Sequence, residues 1–390
     1  MSTKNYFDNT EVAFKLKSDS ELERAYFLFK MISKEPLVRM GTAVTKFALN
    51  LNLPVEGLIR STVFDHFCGG VNEKDCMSTV DKLYDVGVYS VLDFSVEGKE
   101  EDEQFDATAK KVVELTHFAQ NKKAMPFSVF KPTGFGKFDI FQKITEKKSM
   151  TAAEEDQWEQ IKRRYEEVSK AAHDCNISLL IDAEQSWMQD AADMLCEEMM
   201  AKYNREKPVV FNTLQCYRWD RLDYLKKQHE KAKAGGYKLG FKIVRGAYLE
   251  KENERAVENG YQTPICASKK ETDDNFNAIM HYIMENLEDI HLFVGTHNEL
   301  STYLAMDYME EMGIDKKDRK MWFGQLYGMS DHITFNLGEL GYNVSKYIPF
   351  GPVKDVMPYL IRRAEENTSV AGQTSRELGL LKKEKVRRKL

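Results

Sequence analysis

Long apolar runs are missing from this sequence: no stretch approaches the roughly 18 residues that a membrane-spanning helix requires. The first residues, M-S-T-K-N-Y-F-D-N-T-E, have neither the apolar core of a secretory signal nor the Arg-rich, acid-poor pattern of a transit sequence. The chain is therefore expected to be soluble and to act where it is made, in the cytoplasm. Its six cysteines (Cys68, Cys76, Cys175, Cys196, Cys216, Cys266) include no C-x-x-C pair, and no H-E-x-x-H or comparable spacing occurs. That argues against a disulfide framework or a zinc or other metal site and leaves reduced thiols as the expectation. The G-x-S-x-G elbow, the P-loop and the G-x-G-x-x-G fingerprint are absent as well, and the lone G-F-G at Gly134–Gly136 is too short to stand for one. A net charge of -6 argues against a general nucleic-acid binder.

What is present is enough for one large domain and an appendage, with 42% hydrophobic residues in 390. Residues 1–86 read as an N-terminal helical arm, with amphipathic stretches at Leu22–Met31 and Leu37–Leu49 and a further helix near Cys76–Val86. From residue 87 a rhythm sets in. Eight β-rich runs (V-Y-S-V-L-D-F-S-V, P-F-S-V-F-K-P-T, S-L-L-I-D-A-E-Q, P-V-V-F-N-T-L-Q, G-F-K-I-V-R-G-A-Y, I-H-L-F-V-G-T-H-N, M-W-F-G-Q-L-Y-G, S-K-Y-I-P-F-G) alternate with charged helical segments. The helical segments include Thr151–His173, Met188–Lys202, Arg218–Lys233, Lys270–Leu287 and Glu299–Met312. Number and length match an α/β fold of the (β/α)8 TIM-barrel type over 87–375, where a site gathers at the C-terminal ends of the strands. Those ends carry Lys131, Asp182 with Glu184, Gln215, Arg245, His297 with Asn298, Gln325 and Tyr347. Residues 376–390 form a basic tail, expected as a solvated helix end, with attraction to anionic lipid as the functional alternative.

The stretch Tyr347–Glu366 reads as a strand, a Gly-Pro turn and a helix that Asp355 would cap, with Pro358 in its first turn. Tyr359, Arg362, Arg363 and Glu366 stand at i, i+3, i+4 and i+7 and share one face. Buried arginines need an anionic partner, and a planar fork suits a carboxylate or phosphate. With Lys131 and Asp182 they make a pocket for a small zwitterion, its carboxylate on the cations. Asp182 would balance those cations or face the amine. None of these groups accepts electrons, so redox chemistry there requires a cofactor.

The segments L-I-D-A-E-Q, F-N-T-L-Q-C-Y, K-I-V-R-G-A-Y-L-E-K-E, G-T-H-N, F-G-Q-L-Y-G-M and Y-I-P-F-G-P-V-x6-Y-L-I-R-R-A-x-E-N resemble the proline dehydrogenase family in its single-activity form, in order from about Ser61 to Asn367. The resemblance implies a distorted (β/α)8 barrel with non-covalent FAD. It implies oxidation of L-proline to Δ1-pyrroline-5-carboxylate, with hydride passing to the flavin N5 and electrons then to a membrane quinone. Arg362, Arg363 and Lys131 match the residues that hold the substrate carboxylate, and Asp182 the aspartate that pairs within that cluster. Tyr347 and Tyr359 match aromatic walls over the ring. Gln215, Lys242, Val244, Arg245, Gly246, Ala247, Tyr248, Thr272, His297, Asn298 and Leu326 match flavin contacts, and Glu366 a flavin-site glutamate.

Two departures from many bacterial relatives stand out: Lys242 replaces an arginine and Leu249 a tryptophan. They give the chain the look of the eukaryotic-type branch, while the absent transit sequence points to a bacterial source. The expected location is accordingly the bacterial cytoplasm, with peripheral contact at the inner face of the membrane left open. The chain ends before any aldehyde dehydrogenase domain, so a separate pyrroline-5-carboxylate dehydrogenase is expected downstream. Two rivals stay in view: a hydroxyproline dehydrogenase, against which Tyr347 argues by crowding the hydroxyl position, and a proline-binding protein without turnover.

Overall fold

All eight β-rich runs form strands: β1 (Tyr89–Phe94), β2 (Phe127–Phe130), β3 (Ser178–Ile181), β4 (Val210–Gln215), β5 (Leu239–Val244), β6 (Ile290–Gly295), β7 (Met321–Leu326) and β8 (Val344–Phe350). The computed structural model describes residues 5–34, 36, 56–95, 102–369 and 373–390, without the side chains of 56, 58, 61, 364–369 and 373–374. The expected helix at Leu37–Leu49 lies outside the described residues. The strands follow one another in a closed barrel in sequence order. Among the described residues no helix is long and apolar enough to cross a membrane.

The chain divides into two compact units, Met1–Gly98 with Gln325–Leu390 and Lys99–Gly324. This division cuts across the expected arm, barrel and tail.

In the unit Lys99–Gly324, parallel pairing runs from β2 through β7, with partners such as Val129 and Leu180, Thr213 and Lys242, and Phe293 and Trp322. β4 is buried along its whole length. That is the signature of a parallel strand covered on both faces, where even polar residues such as Asn212 and Thr213 are buried. Phe127 packs edge-on against Phe293 at 5.2 Å and Trp322 at 5.0 Å between ring centroids. Gly324 leaves room for this cluster, since a Cβ there would stand 2.3 Å from the Phe293 ring. The expected helices appear as Ala152–Cys175, Ser186–Tyr203, Arg221–Gly235, Lys269–Glu285 and Glu299–Glu311, the first opened by a Thr151/Glu154 capping box.

In the other unit β1 and β8 pair in parallel, Val91 opposite Tyr347. The basic tail is not an appended end. Residues Gln373–Arg388 form a helix seated on Asp19–Ile32, and Leu380 and Leu381 share a cluster with Phe14, Leu22, Ala25 and Phe29. Glu377 and Glu384 are buried on the same helix, and Glu384 accepts from Arg387 at 2.8 Å and Arg388 at 2.7 Å. Arg388 also donates to the carbonyls of Lys17 (2.7 Å) and Phe14 (2.9 Å). Part of the tail's positive charge is thereby matched inside the protein.

Candidate functional site

β2 and β3 end at Phe130 and Ile181, so Lys131 and Asp182 are the first residues past their strands. The Asp182 amide donates to the Phe130 carbonyl at 3.0 Å, which aligns the two strand ends. Lys131 Nζ lies 3.5 Å from Asp182 Oδ2, while Asp182 Oδ1 accepts from Lys242 Nζ. Each oxygen thus faces an ammonium group. Burial by itself would raise the Asp182 carboxyl, but Lys242 and then Lys131 overcome it and hold the group below the usual carboxylate range. Two cations therefore share this one anion. The sequence reading assigned Lys242 to the flavin alone; its inward direction from within β5 is what brings it to Asp182.

Glu184 has a different task. Its carboxylate accepts from the Thr133 amide at 2.8 Å and the Thr133 hydroxyl at 2.9 Å, clamping the turn after β2. Gln215 closes β4, and its buried Oε1 has no hydrogen-bond partner among the described residues. A buried acceptor in that condition is costly unless a ligand supplies a donor. Arg245 follows β5 and donates to Asp273 (2.7 Å), Thr296 (2.9 Å) and Ser301 (3.0 Å), with its guanidinium 4.6 Å from the Phe276 ring centroid. This planar fork is held from several sides and is pre-organised.

Val244 ends β5 opposite Gln215, and Ala247 and Tyr248 lead into the helix Leu249–Asn259, with Ala247 exposed and Tyr248 half-buried. Thr272 is buried in the helix Lys269–Glu285, and His297 is half-buried after β6. Asn298 caps the helix Glu299–Glu311, its Oδ1 accepting from the Ser301 amide at 2.9 Å. An Asn directly before a helical pattern is a cap signal, so this role was readable.

Gly246 has φ +132, and a Cβ there would stand 2.6 Å from the Tyr217 ring. Gly246→Ala is expected to cost about 1–3 kcal/mol, combining backbone strain with overpacking. A lower melting temperature is the check; an unchanged one removes the reason for glycine here.

In the unit formed by Met1–Gly98 and Gln325–Leu390, Tyr347 is buried in the middle of β8 rather than at its end, and its carbonyl accepts from the Tyr327 amide at 2.8 Å. Leu326, the last residue of β7, packs against an apolar cluster that includes Phe64, Phe67 and Leu360. The helix expected after the Gly-Pro turn spans Met357–Ser369, with Pro358 in its first turn. Asp355 does not cap it: the Leu360 amide bonds to the Val356 carbonyl at 3.1 Å, which puts the cap position at Val356. Tyr359 and Arg363 are buried and Arg362 half-buried, and the Arg363 guanidinium lies 5.2 Å from the Tyr359 ring centroid. Such a cation–π contact fixes the arginine without neutralising it. The Glu366 side chain lies outside the described residues.

Residues 76–376 match the family model described as proline dehydrogenase. The chain is 35% identical over 333 residues to the carbapenem antibiotics biosynthesis protein CarD of Pectobacterium carotovorum subsp. carotovorum, covering 85% of this chain and 86% of that protein. It is 42% identical over 241 residues to the mitochondrial proline dehydrogenase 1 of Homo sapiens, covering 61% of this chain and 40% of the human one. Among solved structures it resembles proline utilization A (PutA) from Bdellovibrio bacteriovorus, inactivated by N-propargylglycine, with a TM-score of 0.71 at 20% identity. That likeness covers 94% of this chain and 37% of the other, and at this identity it speaks for the fold.

Proposed function

This chain belongs to the proline dehydrogenase family, and from that premise we propose that it oxidises L-proline to Δ1-pyrroline-5-carboxylate, the first step of proline breakdown. The observation that carries the reading is the helix Met357–Ser369, which buries Arg363 and half-buries Arg362 on a face where apolar residues are the rule. The arginine pair takes the substrate carboxylate, and Tyr359 and Tyr347 supply flat walls for an apolar ring. For Lys131 a carboxylate contact is proposed beside its ion pair with Asp182.

Asp182 is matched to two ammonium groups and held ionised. Its role is electrostatic anchoring, and the substrate nitrogen is taken to lose its proton elsewhere. The protein's share of the reaction is therefore orientation of the substrate.

FAD bound without a covalent link would supply the acceptor for the hydride. Residues that would hold it are Gln215, Lys242, Val244, Arg245, Gly246, Ala247, Tyr248, Thr272, His297, Asn298 and Leu326. The unpartnered, buried Gln215 Oε1 and the positive φ of Gly246 fit a ligand approaching backbone at these strand ends. A membrane quinone is the proposed final acceptor and a separate pyrroline-5-carboxylate dehydrogenase the next enzyme; the proposed location is the cytoplasm.

The test is the visible spectrum of the purified protein without oxygen. A yellow protein that bleaches with L-proline, and far less with hydroxyproline, supports the reading; one that stays yellow with both removes proline oxidation. Tyr347→Ser is expected to raise kcat/KM for hydroxyproline relative to proline by roughly tenfold, the effect of about 1–2 kcal/mol of relieved crowding. An unchanged ratio would remove the buried Tyr347 ring from substrate selection.

A further inference from the structure

The unit that carries β1 and β8 contains a cavity of about 350 Å³, lined by Lys17, Leu28, Leu83, Tyr327 and Lys346 among others. Lys346 neighbours Tyr347 on β8, and side chains alternate across a strand, so this cavity lies on the opposite face of the strand from Tyr347. Its volume falls in the range of roughly 300–1,000 Å³ seen for small-molecule pockets.

Three carboxylates line it, and each is already committed. Glu21 closes a capping box, accepting from the Ser18 amide and hydroxyl at 2.8 Å each. Asp65 faces Arg60 at 3.8 Å. Asp331 is shared between Lys346 at 2.9 Å and Lys17 at 3.1 Å. The four lining cations are not balanced by these groups. Lys346 completes its set with the carbonyls of Met329 (2.5 Å) and Leu326 (3.3 Å), and Lys17 shares Asp331, with the buried Glu377 acting on both lysines from further off. Arg24 and Lys82 stand exposed at the rim and make no ion pair among the described residues. His66 adds no charge, because burial and then Lys17 push its ring down to about 3. The wall between the cations is apolar: Leu16, Leu28 and Leu83.

We propose that this cavity binds a small organic anion, a phosphate or carboxylate on a short hydrocarbon body, with its head group on Lys17, Arg24 and Lys82 and its body along Leu16, Leu28 and Leu83. An anion there would meet the exposed rim cations Arg24 and Lys82, and the hydrocarbon displaces water from an apolar wall. The inference does not rest on proline oxidation.

Its test is calorimetric titration of the full chain with octyl phosphate below its micelle concentration, with inorganic phosphate and octanol as head-only and body-only probes. One saturable site is expected for octyl phosphate, at least tenfold tighter than for either partial probe. Replacing both rim residues, Arg24→Gln and Lys82→Gln, is expected to weaken it tenfold or more without moving the melting temperature. Retention on phosphatidate vesicles that octyl phosphate displaces assigns the head group to a lipid; octyl phosphate binding without vesicle retention assigns a soluble ligand. Either result keeps the site. Absence of saturable binding, equal affinity for inorganic phosphate, or unaltered binding by the doubly substituted protein overturns it.

Discussion

Replacing Arg363 with methionine is expected to lower kcat/KM for L-proline by about 10–100-fold, since a charge-assisted hydrogen bond is worth roughly 1.5–3 kcal/mol and each 1.4 kcal/mol is tenfold. Replacing Arg362 and Arg363 together is expected to bring the loss to the order of 10³-fold, because the carboxylate then has neither fork. The carboxylate is not the reacting group, so most of the loss belongs in KM. Methionine keeps an unbranched apolar stem against Tyr359, so packing around the buried position is largely retained. Steady-state kinetics with proline, alongside the melting temperature and flavin content, separate the roles. A folded, flavin-bearing variant with unaltered KM would take Arg363 out of the substrate site.

The second large effect is expected from Asp182→Asn. Lys242 is buried and Lys131 partly so, and each is ion-paired with this carboxylate. Removing the anion leaves two like charges facing each other, and breaking a buried pair in this way costs about 3–5 kcal/mol. Urea unfolding should show the loss as a lower midpoint at unchanged slope.

The pH dependence has a definite sign. A carboxylate held below its unfolded value of about 4 contributes stability that is complete above that pH and disappears as pH falls through the lower folded value. The unsubstituted protein should therefore lose this contribution only below about pH 4, and the Asp182→Asn variant should lack it at every pH. Equal midpoints for both proteins at neutral pH would show that Asp182 carries no such load.

The barrel was legible because its strands are rich in β-branched and aromatic residues and each run was bounded by polar or Gly/Pro residues, although several strands carry buried polar residues within them. Helices were harder where charge hides on the buried side. Leu249–Asn259 buries Glu252 and Ala256 and is mostly charged, so it has too few apolar residues to read as a core-facing stripe. The helix Gln373–Arg388 was misread as a solvated tail for the same reason: Glu377 and Glu384 occupy its inner face with Leu380 and Leu381. At the candidate site, residue types were readable and partnerships were not. Spacing cannot tell that Lys242 meets Asp182 or that Glu184 holds Thr133, because both contacts join elements far apart in the chain.

The division of the chain also orders events on the ribosome. Lys99–Gly324 is continuous and can complete its contacts as soon as it emerges, whereas the other unit waits for residues on the far side of it. At about 5–20 residues per second the wait lasts on the order of tens of seconds. Throughout it Phe14, Leu22 and Phe29 have no Leu380 or Leu381 to cover them. Slow synthesis across the middle of the message would lengthen that exposure of apolar side chains rather than relieve it.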